Sequence, residues 1–529
     1  MSLERATAAI GLRPRRTLIA IAWLLCSCST AGTALEEAGS PDVEAGLSDG
    51  GGIDVTLDVA GGAPDASTEA ASPDGASTDA LGPPTLTVLT VSTGSLVPAF
   101  DAGVTDYAMT SLNSVYPIQV TATASDPQAS LVIHNAPAQS GVAASFKLAA
   151  GEDFTVSLAS GPVYTVHYLP PDWPAYTITT GPDGGPEAGT EDVLMTTLSY
   201  QLIVDHSGAP LYYRTFAPSI VFDFQPFTLP DGGLAYATGV GASAADTWLD
   251  GVQHVMDSQF RDVADLQLPA RGNHGILPAE AHDFILLDTD HYVAESYVEQ
   301  TVDLSGMNPA WSAQSLVANV VVEEVVSGAV VFEWDSANYP SFYADSTYDN
   351  AFQTGVVSDY LHFNSMCIDP ADGNFIFSFR NTSSIVKVDR TTGAILWTLG
   401  GKEDEFGLTG QQVFAYQHYV RAEADGSLWV FDNDSAPPAR ILSFVLDEAN
   451  KKVVSFTDVY DQPPSQPWAE LMGSYAKLGA GRYLFGWGEW ITGEVAPATT
   501  EVSNGTVVWG LTFTSGETFT YRALPIPGL

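Results

Sequence analysis

Between Pro84 and Pro170 the chain runs in short stretches that alternate apolar with polar residues: "TLTVLTVS", "YPIQVTATAS", "SLVIHNA", "DFTVSLAS" and "VYTVHYLP". Successive side chains of a strand point to opposite faces, so this period of two marks strands with one buried face. Turn residues part the runs at intervals suited to a sandwich. Residues 85–170 are therefore expected to form a β-sandwich domain.

From 171 to 529 the pattern changes to an internal repeat. One element is a Gly-opened turn leading into an apolar-aromatic strand: "GAPLYYRTF" at 208, "GAVVFEWDS" at 328, "GAILWTLGG" at 393 and "GTVVWGLTF" at 505. A second element accompanies it: "DGGLAYAT" at 231, "DTDHYVAES" at 288, "DGNFIFSFR" at 372, "DGSLWVFDN" at 425 and "GAGRYLFGWG" at 479. Short strands recurring about every 40–60 residues are the mark of a β-propeller, whose four-stranded blades bury their faces against one another. Roughly five or six blades fit this length. The closing "TFTYRALPI" is expected to return and pair with the first blade, and a helix is hinted at only over 246–264. The fold class is all-β, a propeller behind an N-terminal sandwich.

Composition narrows the partners. Of 529 residues, 63 are acidic and 19 are Lys or Arg, a formal charge of −44. No basic stripe exists to displace counterions, so nucleic acid is excluded as a partner. Part of the charge lies in residues 29–84, an Ala, Gly, Asp, Ser and Pro tract with few aliphatics that reads as a disordered acidic linker. Ahead of it, Arg13, Arg15 and Arg16 precede the apolar "TLIAIAWLL", too short to span a bilayer, as in a secretory signal. The "LCSC" that follows is close to a lipobox, with Cys28 favoured over Cys26 as the lipidated residue because Ser27 is the small residue before it. The expected signal peptide is thus 1–28. Ser29 resembles the residue found in lipoproteins forwarded to the outer membrane, so an exported, lipid-anchored protein of the periplasm or cell surface is expected. After processing, Cys367 is the one thiol left, so disulfides cannot staple the fold. Cys367 is expected to be a buried structural thiol, and the chain is compatible with a monomer or a pair.

In so acidic a chain a cationic pocket is conspicuous, and "YLHFNSM" followed by "DGNFIFSFR" suggests one. His362 and Asn364 lie two apart, so they face one way along an extended segment. Arg380 ends the next strand of the same repeat, so one blade could present all three. The run "HFNSMCIDPADGNFIFSFRNTSSIVKVDRTTGAILWTLGG" and then "YQHYVRAEADGSLWVFDND" resembles the bacterial arylsulfotransferase (aryl-sulfate sulfotransferase) family, exported six-bladed propellers. The similarity extends over most of 171–529, including "SYAKLGAGRYLFGWG" and "FTYRALPI". It implies that His418 is the sulfated histidine, that His362, Asn364 and Arg380 bind the sulfuryl group, and that a further histidine corresponds to His282, with His274 and His291 as nearby competitors. Tyr419, where some members have Asp, and Asn381, where a His often follows the Arg, depart from the pattern. Separately, "GSLVPAFDAGVTDYAM" with "TATASDPQASLVI" resembles bacterial cadherin-like sandwiches, which implies a spacer or surface module.

The chemistry such a family implies fits these residue types. A neutral imidazole is a suitable nucleophile toward an anionic sulfate ester. Transfer at sulfur should resemble phosphoryl transfer, with charge spread over equatorial oxygens that Arg380 and Asn364 can bind. A protonated His362 or His282 could donate to the departing phenolate and recover the proton from the phenolic acceptor. The scheme takes an aryl sulfate as donor rather than a nucleotide (it is PAPS-independent), calls for no cofactor or metal, and leaves the other histidines, His134, His167, His206 and His254, as structural. Trp397, Trp429 and Trp487 are expected in blade cores, and Arg440 in a structural role. Two other readings stand beside it: a non-catalytic adhesion or glycan-binding propeller, and, from the "TTGAILW" repeat, a quinone-dependent dehydrogenase.

Overall fold

The computed structural model describes residues 83–526, except 93–95, 111–116, 149–151, 171, 183–187, 198, 246–247, 273, 349–351, 434–437, 462–468, 491–494 and 516–517. The signal segment, Cys28 and the acidic linker as far as residue 82 lie outside the described residues. Among the described residues no helix is long and apolar enough to cross a membrane.

Two sheets precede the propeller. Leu86–Val91, Ile118–Ala124 and Ala144–Phe146 form one, and Asp106–Thr110, Val163–Leu169, Asp153–Leu158, Leu131–Ile133 and Ala136–Ala138 the other. Leu89 and Val120 from the first share a core with Tyr107, Phe154 and Val166 from the second, the positions that the alternation marks as inward. A separate apolar cluster joins Ala108, Leu169 and Trp173 to Met195 and Tyr200 of the first blade, with the Trp173 ring edge-on to Tyr200 and Tyr213 at 5.2 Å.

Six sheets of four or five strands follow in chain order. Blade 2 begins with Ile220–Thr228, blade 3 with Ile285–Asp288, blade 4 with Phe363–Ile368, blade 5 with His418–Ala422 and blade 6 with Ser474–Gly479. Blade 1 is made from both ends of the domain: Asp192–Thr196, Tyr200–Val204 and Pro210–Thr215 are completed by Ala523–Ile526, which pairs antiparallel with Asp192–Met195. This closure ties the two ends of the ring into one sheet. The propeller is therefore six-bladed. Its two repeated sequence elements are the fourth strands of blades 1, 3, 4 and 6 counted from the axis, with Tyr176–Thr180 added outside the last of them, and the second strands of blades 2 to 6. The opening glycines of the first element, Gly208, Gly328, Gly393 and Gly505, all have φ between 76° and 87°, the left-handed turn geometry that β-carbons disfavour.

The helix expected over 246–264 is not formed. Trp248–Asp257 pairs with Leu234–Ala245 along its length and Asp262–Leu266 adds the next strand. A partner strand already in place satisfies the backbone along ten residues, and that tertiary pairing overrides the local pattern. Among the described residues α-helix is confined to Ser341–Asp345. Trp397, Trp429 and Trp487 are blade core, as expected.

Candidate active site

The centre of the propeller is held by ions rather than by a hydrophobic plug. Arg522, just before the closing strand, contacts Asp223 of blade 2 at 2.7 Å and Asp283, between blades 2 and 3, at 3.0 Å. Arg421 of blade 5 reaches Asp283 at 3.1 Å, and Gln225 bridges Asp223 and Asp283. Burial raises the Asp223 carboxyl to about 7, against the pull of Arg522 and with the help of the Asp283 charge. The Tyr419 ring lies between the two guanidinium groups, 4.0 Å from Arg421 and 4.7 Å from Arg522. That is the physical reason for Tyr419: an aromatic face between two cations, which an Asp would replace by a third buried anion.

In and beside this network Asp223 (φ 46°), His362 (54°), Tyr416 (52°), Tyr419 (48°) and Met472 (65°), none of them glycine, adopt the left-handed region. Register shifts accompany those of blades 2 and 5, between Phe222 and Gln225 and between His418 and Arg421. A bulge re-aims the side chains next to it, at a local cost of about 1–2 kcal/mol per strained residue. The first strands of blades 4 and 5 are laced side by side: Asn364 Nδ2 donates to the Gln417 carbonyl at 2.6 Å and the Val420 N–H to Ser365 Oγ at 2.9 Å.

Three histidines meet here. His282 and His362 stand edge to face with ring centroids 4.9 Å apart. His418 feels the charge of Arg380, His362 and His282. All three are nearly enclosed, at 4%, 9% and 3% exposure, yet their partners differ. His282 Nδ1 meets Glu280 Oε1 at 2.7 Å, and His362 Nδ1 meets Asp359 Oδ2 at 2.6 Å. His418 Nδ1 instead meets the neutral amide oxygen of Asn433 at 2.8 Å. Asn433 Nδ2 donates to the carbonyls of Ala469 and Met472, which turns its oxygen toward His418. Nδ1 of His418 is thus the protonated nitrogen and Nε2 the one with the lone pair, which accepts a long contact of 3.3 Å from the Met472 N–H. Burial, and then the Arg380 charge, hold the His418 pKa well below 6.5. His362 is lowered as well, by burial against the pull of Asp359.

Arg380 follows the second strand of blade 4, and its N–H donates to the His362 carbonyl at 2.9 Å, which sets the two residues side by side. Its guanidinium lies over Tyr416 at 4.7 Å and donates to Asn381 Oδ1 at 3.1 Å. Asn381 in turn donates to the Asp359 carbonyl at 2.6 Å, so this departure from the family pattern is a strut between Arg380 and the His362 turn. Asn364 is fully buried; one of its two N–H groups is spent on Gln417 and its carbonyl accepts from Arg522 at 3.2 Å. Beside the histidines Phe222, Leu249, Ala281, Met472 and Tyr521 form an apolar cluster, with Ile220, Leu471 and Phe519 partly exposed at its rim. Tyr521 stacks on Phe222 and donates to the His282 carbonyl at 2.8 Å.

The competitors for His282 are elsewhere. His274 is exposed in a loop, and His291 pairs with Glu324 at 2.7 Å. The remaining histidines serve locally, His206 on Glu501, His254 on Asp265, His167 on Asp153 and His134 stacked on Phe146. Arg440 is bound to Asp432 in a blade. Cys367 is buried, and burial raises its thiol to about 11. Sequence reasoning did not single out Glu280, Asp359 or Asn433. The first two were within reach, as carboxylates two and three residues before a histidine, whereas Asn433 meets His418 only through strand pairing. Glu280, His282 and Glu295 have ligand atoms within 4.8 Å of one another, the spacing of a metal site. The two Glu280 oxygens, however, already accept from Leu249 N, His282 N and His282 Nδ1, so the arrangement is that of a hydrogen-bonded chain.

No match to a curated protein was found. Among solved structures, a Bacteroides caccae protein of unknown function aligns at 12% identity over 64% of this chain and 99% of that one, with a TM-score of 0.40. A catalytically inactive virginiamycin B lyase from Staphylococcus aureus aligns at 10% identity over 80% of this chain and 100% of that one, TM-score 0.30. The β-propeller domain of Cps50 (Swd1) from Myceliophteria thermophila aligns at 9% identity over 64% and 100%, TM-score 0.31. TM-scores this low carry no weight, and the propeller rests on its own sheets. The family model is informative where those are not. Residues 279–514, which hold Glu280, all three histidines, Asn364 and Arg380, match the model of the arylsulfotransferase (ASST) family, the class of aryl-sulfate sulfotransferases.

Proposed function

We propose that the protein moves a sulfuryl group from an aryl sulfate ester to a phenolic acceptor by a ping-pong route, with His418 as the residue sulfated in between. The observation that carries this reading is the contrast among the three histidines. A buried imidazole backed by an amide stays neutral and keeps its lone pair on Nε2, as a nucleophile toward an anion must. Two imidazoles backed by carboxylates, beside it, are suited to hold and release protons. Environments that push like groups apart in pKa mark divided roles. Arg380 is the cation for the sulfuryl oxygens, with the second N–H of Asn364 beside it. The apolar cluster around Phe222, Met472 and Tyr521 offers a wall for an aryl ring. No nucleotide donor is needed, and none would be supplied outside the cell, where export by the expected signal peptide 1–28 and attachment at Cys28 would hold the protein.

The test is direct. The purified protein is incubated with a chromogenic aryl sulfate, and the peptide holding His418 is weighed. A gain of one sulfuryl group, lost in His418→Asn, establishes the intermediate. Neither adduct nor phenol release across several aryl sulfates would leave the propeller as a binding module. Cys28 is tested by the mass of the mature N-terminus.

A further inference from the structure

We propose that Glu280, backed by Glu295, is the positioning residue that keeps a proton on His282, and that His282 rather than His362 protonates the departing phenolate. This rests on the sulfuryl-transfer reading above.

Glu280 and Glu295 are completely buried, the first at the edge of blade 2 and the second in the strand His291–Val302 of blade 3. Neither Glu295 oxygen accepts a hydrogen bond from any donor among the described residues. A carboxyl oxygen of each residue lies within 4.8 Å of the other, and two buried carboxylates so placed disfavour ionising both. One proton between them settles the contact: Glu295 as the acid donates to Glu280 as the carboxylate. Glu280 then carries the negative charge while fully buried, and it needs a cation. Its donors are Leu249 N, His282 N and His282 Nδ1, with no Lys or Arg among them. The cation is His282. Asp250, Asp283, Tyr297, Tyr521 and Arg522 also face the pair; Asp283 is already bound to Arg421 and Arg522, so the added negative charge that favours the proton staying comes from Asp250. The directions agree: burial drives Glu295 well up, while Glu280, despite its own burial, is drawn down to about 2 by His282.

His362 shares the local pattern, since the buried Asp359 accepts from its N–H at 2.9 Å, but not the charge around it. Asp359 backs it at 2.6 Å, but the positive charges of Arg380 and His282 oppose its protonation. Two imidazolium rings 4.9 Å apart would repel, so one proton serves the pair and it resides on His282.

The steps balance. The Nε2 lone pair of His418 attacks sulfur, the bond from sulfur to the aryl oxygen breaks with its electrons on oxygen, and the Nε2 proton of His282 passes to that oxygen. A neutral phenol leaves, and His282 is left neutral beside Glu280. In the return half, His282 takes the acceptor's proton as its oxygen attacks sulfur, and the electrons of the N–S bond return to His418.

The experiment is a leaving-group series, from nitrophenyl to unsubstituted phenyl sulfate, read as single-turnover phenol release by the full chain. In Glu280→Gln, release from nitrophenyl sulfate should fall by less than about tenfold, and from phenyl sulfate by about 10²–10³-fold, because only the poor leaving group needs the proton. Glu295→Gln, a neutral donor in place of a neutral donor, should stay within a few-fold of wild type throughout. A parallel loss across the series in Glu280→Gln overturns the proposal, as does a loss in Glu295→Gln equal to that in Glu280→Gln. The ¹⁵N resonances of labelled histidine, with His282 assigned by difference from His282→Gln, decide the matter independently of turnover. The imidazolium signature at the pH of the assay is expected in the wild type, and neutral imidazole there overturns the proposal even if Glu280→Gln fails to fold. A wild type inert toward every aryl sulfate would sink the sulfuryl-transfer reading, while the resonances would still report on Glu280 and His282.

Discussion

Replacing Arg522 by Met tests whether the ionic centre holds the propeller's axis. The side chain is 2% exposed and touches Asp223 at 2.7 Å, Asp283 at 3.0 Å and the Asn364 carbonyl at 3.2 Å. Met is apolar and fills similar space, so the change removes the charge more than the volume. At an effective dielectric near 20, unit charges about 4 Å apart interact by about 4 kcal/mol. The guanidinium's own desolvation offsets part of its two contacts, and breaking such a buried pair costs about 3–5 kcal/mol. The loss should depend on pH. Asp223, with its folded pKa already raised to about 7 from 3.8, rises further when Arg522 is gone. A carboxyl whose folded pKa exceeds its unfolded one is neutral in the fold at low pH, so its stability is full below the unfolded value and declines as pH rises toward the folded one. Each unit of pH in that window is worth about 1.4 kcal/mol. Urea unfolding followed by tryptophan fluorescence should thus show a loss of about 3–5 kcal/mol at pH 8 and about half of that or less at pH 5.5. Equal losses at the two pH values, or less than about 1 kcal/mol at pH 8, would refute the account of the axis.

Three further outcomes are expected. Arg380→Lys should lower kcat by about 10²–10³-fold with a smaller change in KM, because an ammonium cannot stack on Tyr416 and hold Asn381 while binding sulfuryl oxygens; steady-state kinetics with a chromogenic donor checks it. Adduct formation on His418 should persist below pH 6.5 and decline only as pH falls through the lowered pKa of that residue, since the neutral form is the nucleophile; an acid limb centred above 6.5 in the first half-reaction would contradict this. Cys367, buried and raised to about 11, should resist iodoacetamide at pH 8 in the folded protein and react once unfolded, as seen by mass.

Much of the architecture was legible along the chain. The alternation over 85–170, the two repeated elements and the returning "TFTYRALPI" depend on local periodicity and turn chemistry, which a strand shows wherever it lies. The helix hinted at over 246–264 failed for the complementary reason, that a neighbouring strand decides the state of an ambiguous segment. His362, Asn364 and Arg380 could be grouped because they fall within one hairpin of one blade.

What only the tertiary structure decided is the division of labour. His282, His362 and His418 are the same residue type in three stretches of sequence, and although a carboxylate precedes two of them by a few residues, only the fold turns it onto the ring. The difference comes from Asn433 behind one ring and Glu280 and Asp359 behind the others, and from burial and Arg380 acting on all of them at once. Tyr419 and Asn381, departures when read in line, acquire reasons only when two guanidinium groups and the Asp359 turn close around them. Periodicity along a chain reports which face of each strand is buried. The protonation of a buried group depends on the charges within a few ångströms of it, and in a propeller those arrive from several blades, as Arg380, His362 and His282 do around His418.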